Sequence, residues 1–352
     1  MLAKSSCDTF VSYVSIHRKK NAKDIPVTRT VHTYTIFCSI LNRINAQTRV
    51  LVTTCLIGMF FVGCTGTIDT QQTLSGHLLV VGSTALQPLV TRAAVLFQQQ
   101  YPAAKIVVKG GGSVSGLQSV TSNKSDIGDS DIYADPAIYP DPNLTDHIVC
   151  VVPFTMIADP NINVTSLSQQ QIIDIFATGT IRNWQQVGGP DLAIVPVVRP
   201  TTSGTRATFH KYILGGRDEN SEHGRLLTTD TSATVRDAVA HTTGAIGYLA
   251  LSVLNKSVHA LSIDGYTPTL ANIENGHYAF WSYEHMYTTG DNNVLASAFL
   301  DFMLTSTIQQ VAQSMGYIPI ANMKLGATEP VTRPTETTLA MHESEIINHG
   351  TN

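Results

Sequence analysis

The stretch VVRPTTSGTRATF, residues 197–209, carries the pattern on which the predicted fold is built. The apolar run 193–198 predicts a buried strand that ends at Arg199. Pro200 and the two threonines after it oppose a helix, and Ser203 then has the position and side chain of a helix N-cap. The stretch therefore predicts a strand, a turn and a capped helix, the repeating unit of an α/β fold.

The start of this predicted helix is a candidate anion site. Gly204 and Thr205 would supply amides that have no partner inside the helix, where the helix dipole also favours negative charge. The guanidinium of Arg199 can add a bidentate hydrogen bond to the same oxyanion. Taken alone, however, the stretch fits an ordinary capped helix beside a surface arginine, so the interpretation depends on the rest of the chain.

Composition and charge limit the possible functions. The chain has 352 residues, enough for two domains, and its 43% hydrophobic and 14% charged residues are typical of a globular protein. Residues 1–63 carry 8 of the 22 Lys and Arg but 2 of the 26 Asp and Glu, so the body after them is about −10 in net charge. Nucleic acid and anionic lipid are therefore unfavourable main partners, and an anion would need a dry, shaped pocket.

Residues 42–63 are predicted to be a lipoprotein signal peptide. The uncharged run 50–62 is too short to span a bilayer comfortably and has the length of a signal-peptide apolar region. Cys64 follows a small residue at its end, as in the bacterial lipobox, in which the cysteine is diacylated and becomes the mature N-terminus. Phe61 stands where leucine is usual, and the alternative is a buried cysteine in an anchor or core helix.

The remaining terminal segments lack clear apolar periodicity. Residues 1–41 precede an otherwise complete signal and are interpreted as a misassigned start or a long cytoplasmic extension, and residues 64–75 as a linker. Residues 324–352, rich in Thr, Glu and Pro, are predicted to be a disordered polar tail. Of five cysteines, only Cys150 would remain within the exported body, in an apolar run typical of a core residue, so no disulfide framework or cysteine metal site is expected.

Strand–turn–helix units at the start of the body predict an α/β fold with a mostly parallel sheet. Predicted strands cover residues 78–81, 106–108 and 126–131. Small hydroxyls or a carboxylate follow each of them, at Ser83, Thr84, Ser113 and Asp131. Ligands of such sheets lie outside the carboxyl ends of the strands, although a serine there is often only a cap and an aspartate only solvated.

The second half of the body continues this alternation. The apolar run 148–158 is expected to pass from one lobe into another, and residues 244–249 are predicted to form a strand that could carry the chain back. Helices are predicted for residues 168–176, 231–240 and 294–315.

With these pieces in order, the chain resembles the phosphate-binding lipoproteins of bacterial phosphate ABC transporters, the PstS type, over about residues 76–320. Each motif is short, and their joint order carries the resemblance: GSTALQP at 82–88, GGGS at 110–113, Ser130-Asp131, Ile175-Phe176 with Asn183-Trp184, Arg199 with SGTR at 203–206, and GAIGY at 244–248.

The resemblance implies a periplasmic-binding-protein fold of two α/β lobes, each a mixed, mostly parallel sheet flanked by helices, with the ligand in the cleft between them. Lobe one would be residues 76–152 plus 251–320, and lobe two residues 153–250. It also implies a monomer without cofactor or metal that binds inorganic phosphate and delivers it to ABC permease subunits. A lipid anchor would hold it on the outer face of the bacterial cell membrane.

The resemblance further implies a phosphate-binding set drawn from both lobes. From lobe one, Thr84, the amide of Ala85 and Ser113 would contact phosphate, and Asp131 would accept a hydrogen bond from it. The residues implied from lobe two are Arg199, Ser203, Gly204 and Thr205. Because phosphate near neutral pH keeps a proton that sulfate lacks, an ionised Asp131 would favour phosphate and repel sulfate. Arg199 could hold this carboxylate ionised through a salt link with it or with phosphate.

Two alternatives remain open at this point. A receptor for another tetrahedral oxyanion, such as sulfate or molybdate, is opposed only by Asp131. A secreted phosphatase would need a nucleophile with a base, or metal ligands, whereas the histidines of the body are scattered. The acidic string Asp126, Asp129, Asp131 and Asp135 could hold a metal in principle, but it fits a strand end and its loop better.

Overall fold

The computed structural model describes residues 74–220, 227–228, 231–290 and 293–323. The predicted signal peptide, Cys64, the N-terminal extension and the polar tail lie outside these residues. The strands are β1 Gly76–Gly82, β2 Ala104–Gly110, β3 Ile127–Ser130, β4 Leu144–Ala158, β5 Ser166–Leu167, β6 Val195–Val198, β7 Leu227–Thr228, β8 Ala245–Ala250, β9 His259–Ile263, β10 Trp281–Thr289 and β11 Ile318–Pro319. The α-helices are α1 Gln87–Gln100, α2 Ser113–Thr121, α3 Gln169–Phe176, α4 Gly204–Thr208, α5 Ser232–Ala240, α6 Leu270–Glu274, α7 Val294–Met303 and α8 Ser306–Ser314.

The strands form a mixed sheet whose main path runs β2-β1-β3-β10-β4-β8-β6-β7. At one end, β1 pairs in parallel with β2 and β3, and at the other β6 pairs in parallel with β7 and β8. Between them, β10 runs antiparallel to both β3 and β4. The α/β class and the mixed sheet are confirmed, and the parallel pairs lie where the strand–turn–helix units were predicted.

Strand β4 joins the two ends of the sheet. Its first part pairs with β10 as far as Pro153, and residues 154–158 pair with β8. Every residue from Val149 to the end of the strand is buried, because both faces of this central strand are covered. The apolar run predicted to pass from one lobe to the other is therefore one continuous strand, and its free cysteine, Cys150, is buried as predicted.

The sheet pairing differs from the lobe boundary predicted at residue 250. Strand β9 falls in the part of the chain assigned to lobe one. It pairs with Met156 to Ala158 of β4 and with β5, which the same prediction assigns to lobe two. The sequence carried no signal for this pairing, because β9 is short and pairs with residues far away in the chain.

The single helix predicted over residues 294–315 is wrong. The chain forms two helices, α7 and α8, that are bent by 58° across a short break. Thr305 is extended at ψ 149° and its side chain accepts a hydrogen bond from the Ile308 amide, so it caps a new helix instead of continuing the old one. Among the described residues no single helix is long and apolar enough to cross a bilayer, and only this bent pair passes that test when taken together.

The apolar residues of α1 pack into the core. Leu89, Val90, Ala93 and Phe97 are buried, and the ring of Phe97 meets that of Phe299 edge-on at 5.4 Å. Burial of a large apolar side chain contributes about 1.5–3 kcal/mol. This packing fixes α1 against α7 and so holds the turn between β1 and α1 at the carboxyl end of the sheet.

Candidate functional site

The candidate site begins where β1 and β3 end. A Cβ built on Gly82, whose φ is +147°, would lie 2.0 Å from the backbone oxygen of Asp129, so only glycine permits this close approach. The Ser83 amide then donates to the same backbone oxygen at 3.0 Å. The result is that the hydroxyls following β1 and the carboxylate following β3 lie side by side.

Asp131 is the centre of the resulting hydrogen-bond network. The Ser83 hydroxyl donates to Asp131 Oδ1, and the Thr205 hydroxyl donates to Oδ2 at 2.8 Å. The Asp131 amide in turn donates to the hydroxyl oxygen of Ser113 at 2.9 Å. All four of these residues are buried, which makes every one of these hydrogen bonds costly to lose.

The starts of α2 and α4 meet directly at this centre. The Val114 amide donates to the Thr202 backbone oxygen at 3.2 Å. A Cβ built on Gly204 would lie 2.1 Å from the Ser113 hydroxyl oxygen and 2.9 Å from Cβ of Asp131. The absent side chain at Gly204 is therefore what lets the two helix starts approach each other.

Substitution Gly204→Ala tests this close approach. Overpacking costs about 1–3 kcal/mol, so we expect affinity for the anion predicted at this site to fall by about 5- to 150-fold because the two helix starts are pushed apart. Calorimetric titration would measure the effect. Ala207→Gly, an exchange of the same two residue types on the same helix, is the control and should leave the affinity nearly unchanged. Equal affinities in Gly204→Ala and the unmodified protein would contradict the steric role.

Arg199 reaches the same place from β6 and is 1% exposed. Its guanidinium donates to the Thr84 hydroxyl at 2.8 Å and to the Ser232 hydroxyl at 2.9 Å. The Ser232 amide lies 3.4 Å from the same Thr84 oxygen. These hydrogen bonds hold the buried, positively charged guanidinium beside the hydroxyls of Thr84 and Ser232.

An ion pair between Arg206 and Glu219 supports the backbone at Arg199. Arg206 donates to the Arg199 backbone oxygen at 2.7 Å and forms a 2.8 Å ion pair with Glu219. The Tyr248 hydroxyl donates to the other Glu219 oxygen at 2.7 Å. Burial raises the pKa of Glu219, while the Tyr248 hydrogen bond and the Arg206 charge lower it. Both contacts thus favour the ionised carboxylate that fixes Arg206.

The residues implied as ligand contacts lie near one another, although the Ala85 amide and the Ser203 side chain already have partners within the protein. The Ala85 amide donates to the Ser83 hydroxyl oxygen at 3.1 Å. The Ser203 side chain caps α4 as predicted, accepting from the Arg206 amide at 3.2 Å. The members that meet around the Asp131 and Arg199 contacts are Thr84, Ala85, Ser113, Asp131, Arg199, Ser203, Gly204 and Thr205.

Asp126 and Asp135 of the acidic string each accept a hydrogen bond from a backbone amide outside the Asp131 network. Asp126 accepts from the Leu79 amide at 2.7 Å, and Asp135 accepts from the Ala137 amide at 2.8 Å.

Sequence reasoning missed two residues of the site. Ser232 follows the N-cap Thr231 of α5, and the helix start predicted at residue 231 was the available signal for it. Glu284 is 0% exposed next to Asp131, and the signal was an acidic residue inside an aromatic-rich strand.

Comparison with known proteins agrees with this arrangement. Residues 67–307 match the model of the PBP superfamily domain. The chain is 43% identical over 258 residues to the phosphate-binding protein PstS of Bacillus subtilis, a match that covers 72% of this chain and 84% of that protein.

Solved structures give the same result. A protein from Clostridium perfringens, described as a phosphate ABC transporter substrate-binding protein with bound phosphate, superposes with a TM-score of 0.64 at 26% identity, covering 70% of this chain and all (100%) of that one. An ABC-type phosphate transport receptor from Vibrio cholerae gives 0.56 at 26% identity, covering 68% and 99%. The chain belongs to the PstS family of phosphate-binding proteins within the PBP superfamily.

Proposed function

We propose that this chain is an extracytoplasmic receptor that captures inorganic phosphate and delivers it to an ABC permease. The observation that carries the proposal is the buried Arg199. Its guanidinium donates hydrogen bonds to the hydroxyl of Thr84, just before α1, and to the hydroxyl of Ser232, at the start of α5. A positive charge beside hydroxyl groups and helix starts fits a small oxyanion with many acceptor oxygens. The family relationship favours phosphate as that oxyanion.

The proposed phosphate ligands come from both sides of the contact between α2 and α4. Thr84 and Ser113, with the backbone at Ala85, would donate from one side, since their hydroxyls can reorient toward an oxyanion. From the other side the donors would be Arg199, Ser203, Gly204 and Thr205. Phosphate has four oxygens that can accept hydrogen bonds from these groups. Its remaining proton would form a hydrogen bond to the Asp131 carboxylate.

Asp131 supports phosphate over sulfate and molybdate. Its carboxylate already accepts from Ser83 and Thr205, and each carboxylate oxygen can accept a further hydrogen bond. A protonated phosphate oxygen can supply that hydrogen bond, whereas a fully ionised oxyanion would face the carboxylate charge in a water-poor site. The alternative oxyanion receptors therefore remain less favoured.

Capture would proceed by closure around the ligand. Contacts from Asp131 to Thr205 and from Thr84 to Arg199 connect segments that lie far apart in the chain. A ligand that touches both sides favours the arrangement in which these segments meet. Micromolar affinity corresponds to about 8 kcal/mol, which an arginine, several hydroxyls and two helix starts can supply.

The lipid anchor at Cys64, the outer face of the cell membrane and the monomeric state are part of the same proposal. They rest on the sequence pattern before Cys64 and on the family's role in transport. Intact mass of the exported protein tests the anchor. A mature chain that begins upstream of Cys64 would contradict it.

Titration of the purified protein with phosphate and then sulfate, followed by calorimetry, tests the function. We expect saturable phosphate binding and weak or undetectable binding of sulfate. Equal affinities would favour a general oxyanion receptor. Turnover of a chromogenic phosphate ester would instead favour a phosphatase, the remaining alternative.

A further inference from the structure

Three acidic side chains are buried together behind the proposed ligand site. Asp129 is 1% exposed, Asp131 is 2% exposed and Glu284 is 0% exposed. Asp131 has a proposed role toward the ligand, while Asp129 and Glu284 have none. Three like charges in one buried cluster would repel each other strongly, so the cluster is expected to hold protons.

The sheet places Glu284 beside Asp131. Strand β10 runs antiparallel to β3, with His285 opposite Ser130 and Met286 opposite Asp129. Asp131 and Glu284 are the next residues along the two chains, and their side chains lie within hydrogen-bonding reach of each other. The Ser282 hydroxyl, two residues before Glu284, donates to the Asp131 backbone oxygen and keeps the two chains together at this point.

The surroundings of Glu284 do not support a charge. Within the described part of the chain, no donor reaches either of its carboxyl oxygens in hydrogen-bonding geometry. The Ser83 hydroxyl is near enough to lower the pKa of Glu284 somewhat, but its proton goes to Asp131 Oδ1. A buried carboxylate without a donor is unfavourable, whereas a neutral carboxyl can itself donate a hydrogen bond.

Electrostatics point in the same direction. Burial raises the pKa of Glu284 well above its ordinary value, and the charges of Asp131 and Asp129 raise it further. Among the described residues, Cys150, opposite on β4, and Tyr317 also interact electrostatically with it. Since none of these four groups is a cation, none of them favours ionisation of Glu284.

We propose that Glu284 is a positioning residue that stays neutral and donates its proton as a hydrogen bond to the ionised Asp131 carboxylate. Asp131 also receives the hydroxyls of Ser83 and Thr205, so it is the member of the cluster best provided with donors. As a third donor beside these two hydroxyls, the Glu284 carboxyl would fix the orientation of the Asp131 carboxylate and keep the negative charge on Asp131. Asp131 then remains an acceptor toward the ligand, and this role rests on the proposed function.

Glu284→Gln tests the proposal because glutamine keeps the shape and a donor but cannot ionise. We expect phosphate affinity within about threefold of the unmodified protein, since the neutral side chain is already present. Glu284→Met, of similar length but without a donor, should weaken phosphate binding by about tenfold or more. If Glu284 were ionised, Glu284→Gln would remove a negative charge near the anion and tighten binding by about tenfold or more, which would overturn the proposal.

The pH dependence of stability gives a readout that needs no ligand. The folded protein keeps a proton on Glu284 that the unfolded chain releases above the ordinary glutamate pKa of about 4.3. Wild-type stability therefore falls as pH rises from that value toward the raised folded pKa, and Glu284→Gln lacks this loss. Thermal unfolding from about pH 5 to about pH 9 should show the variant gaining stability over the unmodified protein as pH rises.

A matched control removes one charge elsewhere. Asp301 on α7 is exposed, so Asp301→Asn should show no comparable growth of the stability difference with pH. A constant difference between Glu284→Gln and the unmodified protein over the whole range would overturn the proposal. If neither the unmodified protein nor any of these variants binds phosphate, the proposed function fails. The unfolding curves would still decide whether Glu284 holds a proton.

Discussion

Replacement of Arg199 by methionine is expected to weaken phosphate binding by at least about 100-fold. Truncation of one member of a buried, charged interaction costs about 2–5 kcal/mol, and each 1.4 kcal/mol is about tenfold in affinity. Arg199 is buried and bridges Thr84 and Ser232, so the variant loses both the positive charge and the contact that joins two sides of the site. Calorimetric titration with phosphate would measure the loss.

Arg182→Met provides the matched control. Arg182 is exposed and donates to the Gly179 backbone oxygen at 2.7 Å, so its replacement should leave phosphate affinity nearly unchanged. Thermal unfolding of both variants without phosphate separates a loss of the site from a loss of the fold. A folded Arg199→Met protein with unchanged affinity would show that the proposed site is not where phosphate binds.

Replacement of Asp131 by asparagine is expected to reduce the preference for phosphate over sulfate by at least about tenfold. The amide can still accept a hydrogen bond, but it no longer repels an oxyanion that lacks a proton. Sulfate affinity should therefore rise while phosphate affinity falls. Competition titrations with the two anions at one pH would measure the change in preference.

Asp159→Asn is the corresponding control. Asp159 is also buried, at 3% exposed, but it accepts from the Gly244 amide at 2.8 Å and belongs to the end of β4. Its loss should lower stability and leave the preference between anions as it was. An unchanged preference in Asp131→Asn would contradict the account of selectivity given for that carboxylate.

Local patterns made the elements around the site predictable. Ser203 and Ser168 each stand immediately before a helix and cap it, because a capping side chain acts on amides only two or three residues away. The burial of Cys150 was likewise predictable from residues next to it in the chain, because its neighbours are apolar. The break between α7 and α8 at Thr305 was missed because helically spaced apolar residues continue on both sides of it. This periodicity outweighed the capping signal of Thr305 and the serine that follows it.

Pairings over long distances were not predictable in the same way. Strand β9 joins β4 and β5 instead of following the assigned lobe, and Glu284 reaches Asp131 only through the register between β10 and β3. A strand of a few residues can pair with many others, and a shift by one residue would turn Glu284 to the other face. Only the assembled sheet selects one of these registers.

The sequence by itself determined the α/β class, the capped helix after Arg199 and the small hydroxyls that follow the strands. Which of them meet was decided by the tertiary structure, since Thr84 and Arg199 are separated by 115 residues and Asp131 and Thr205 by 74. The same packing put Glu284 behind Asp131, out of reach of water. This division has a physical reason. Capping and strand formation depend on neighbours along the chain, whereas the charge that a buried carboxyl can carry depends on every group that the fold packs around it.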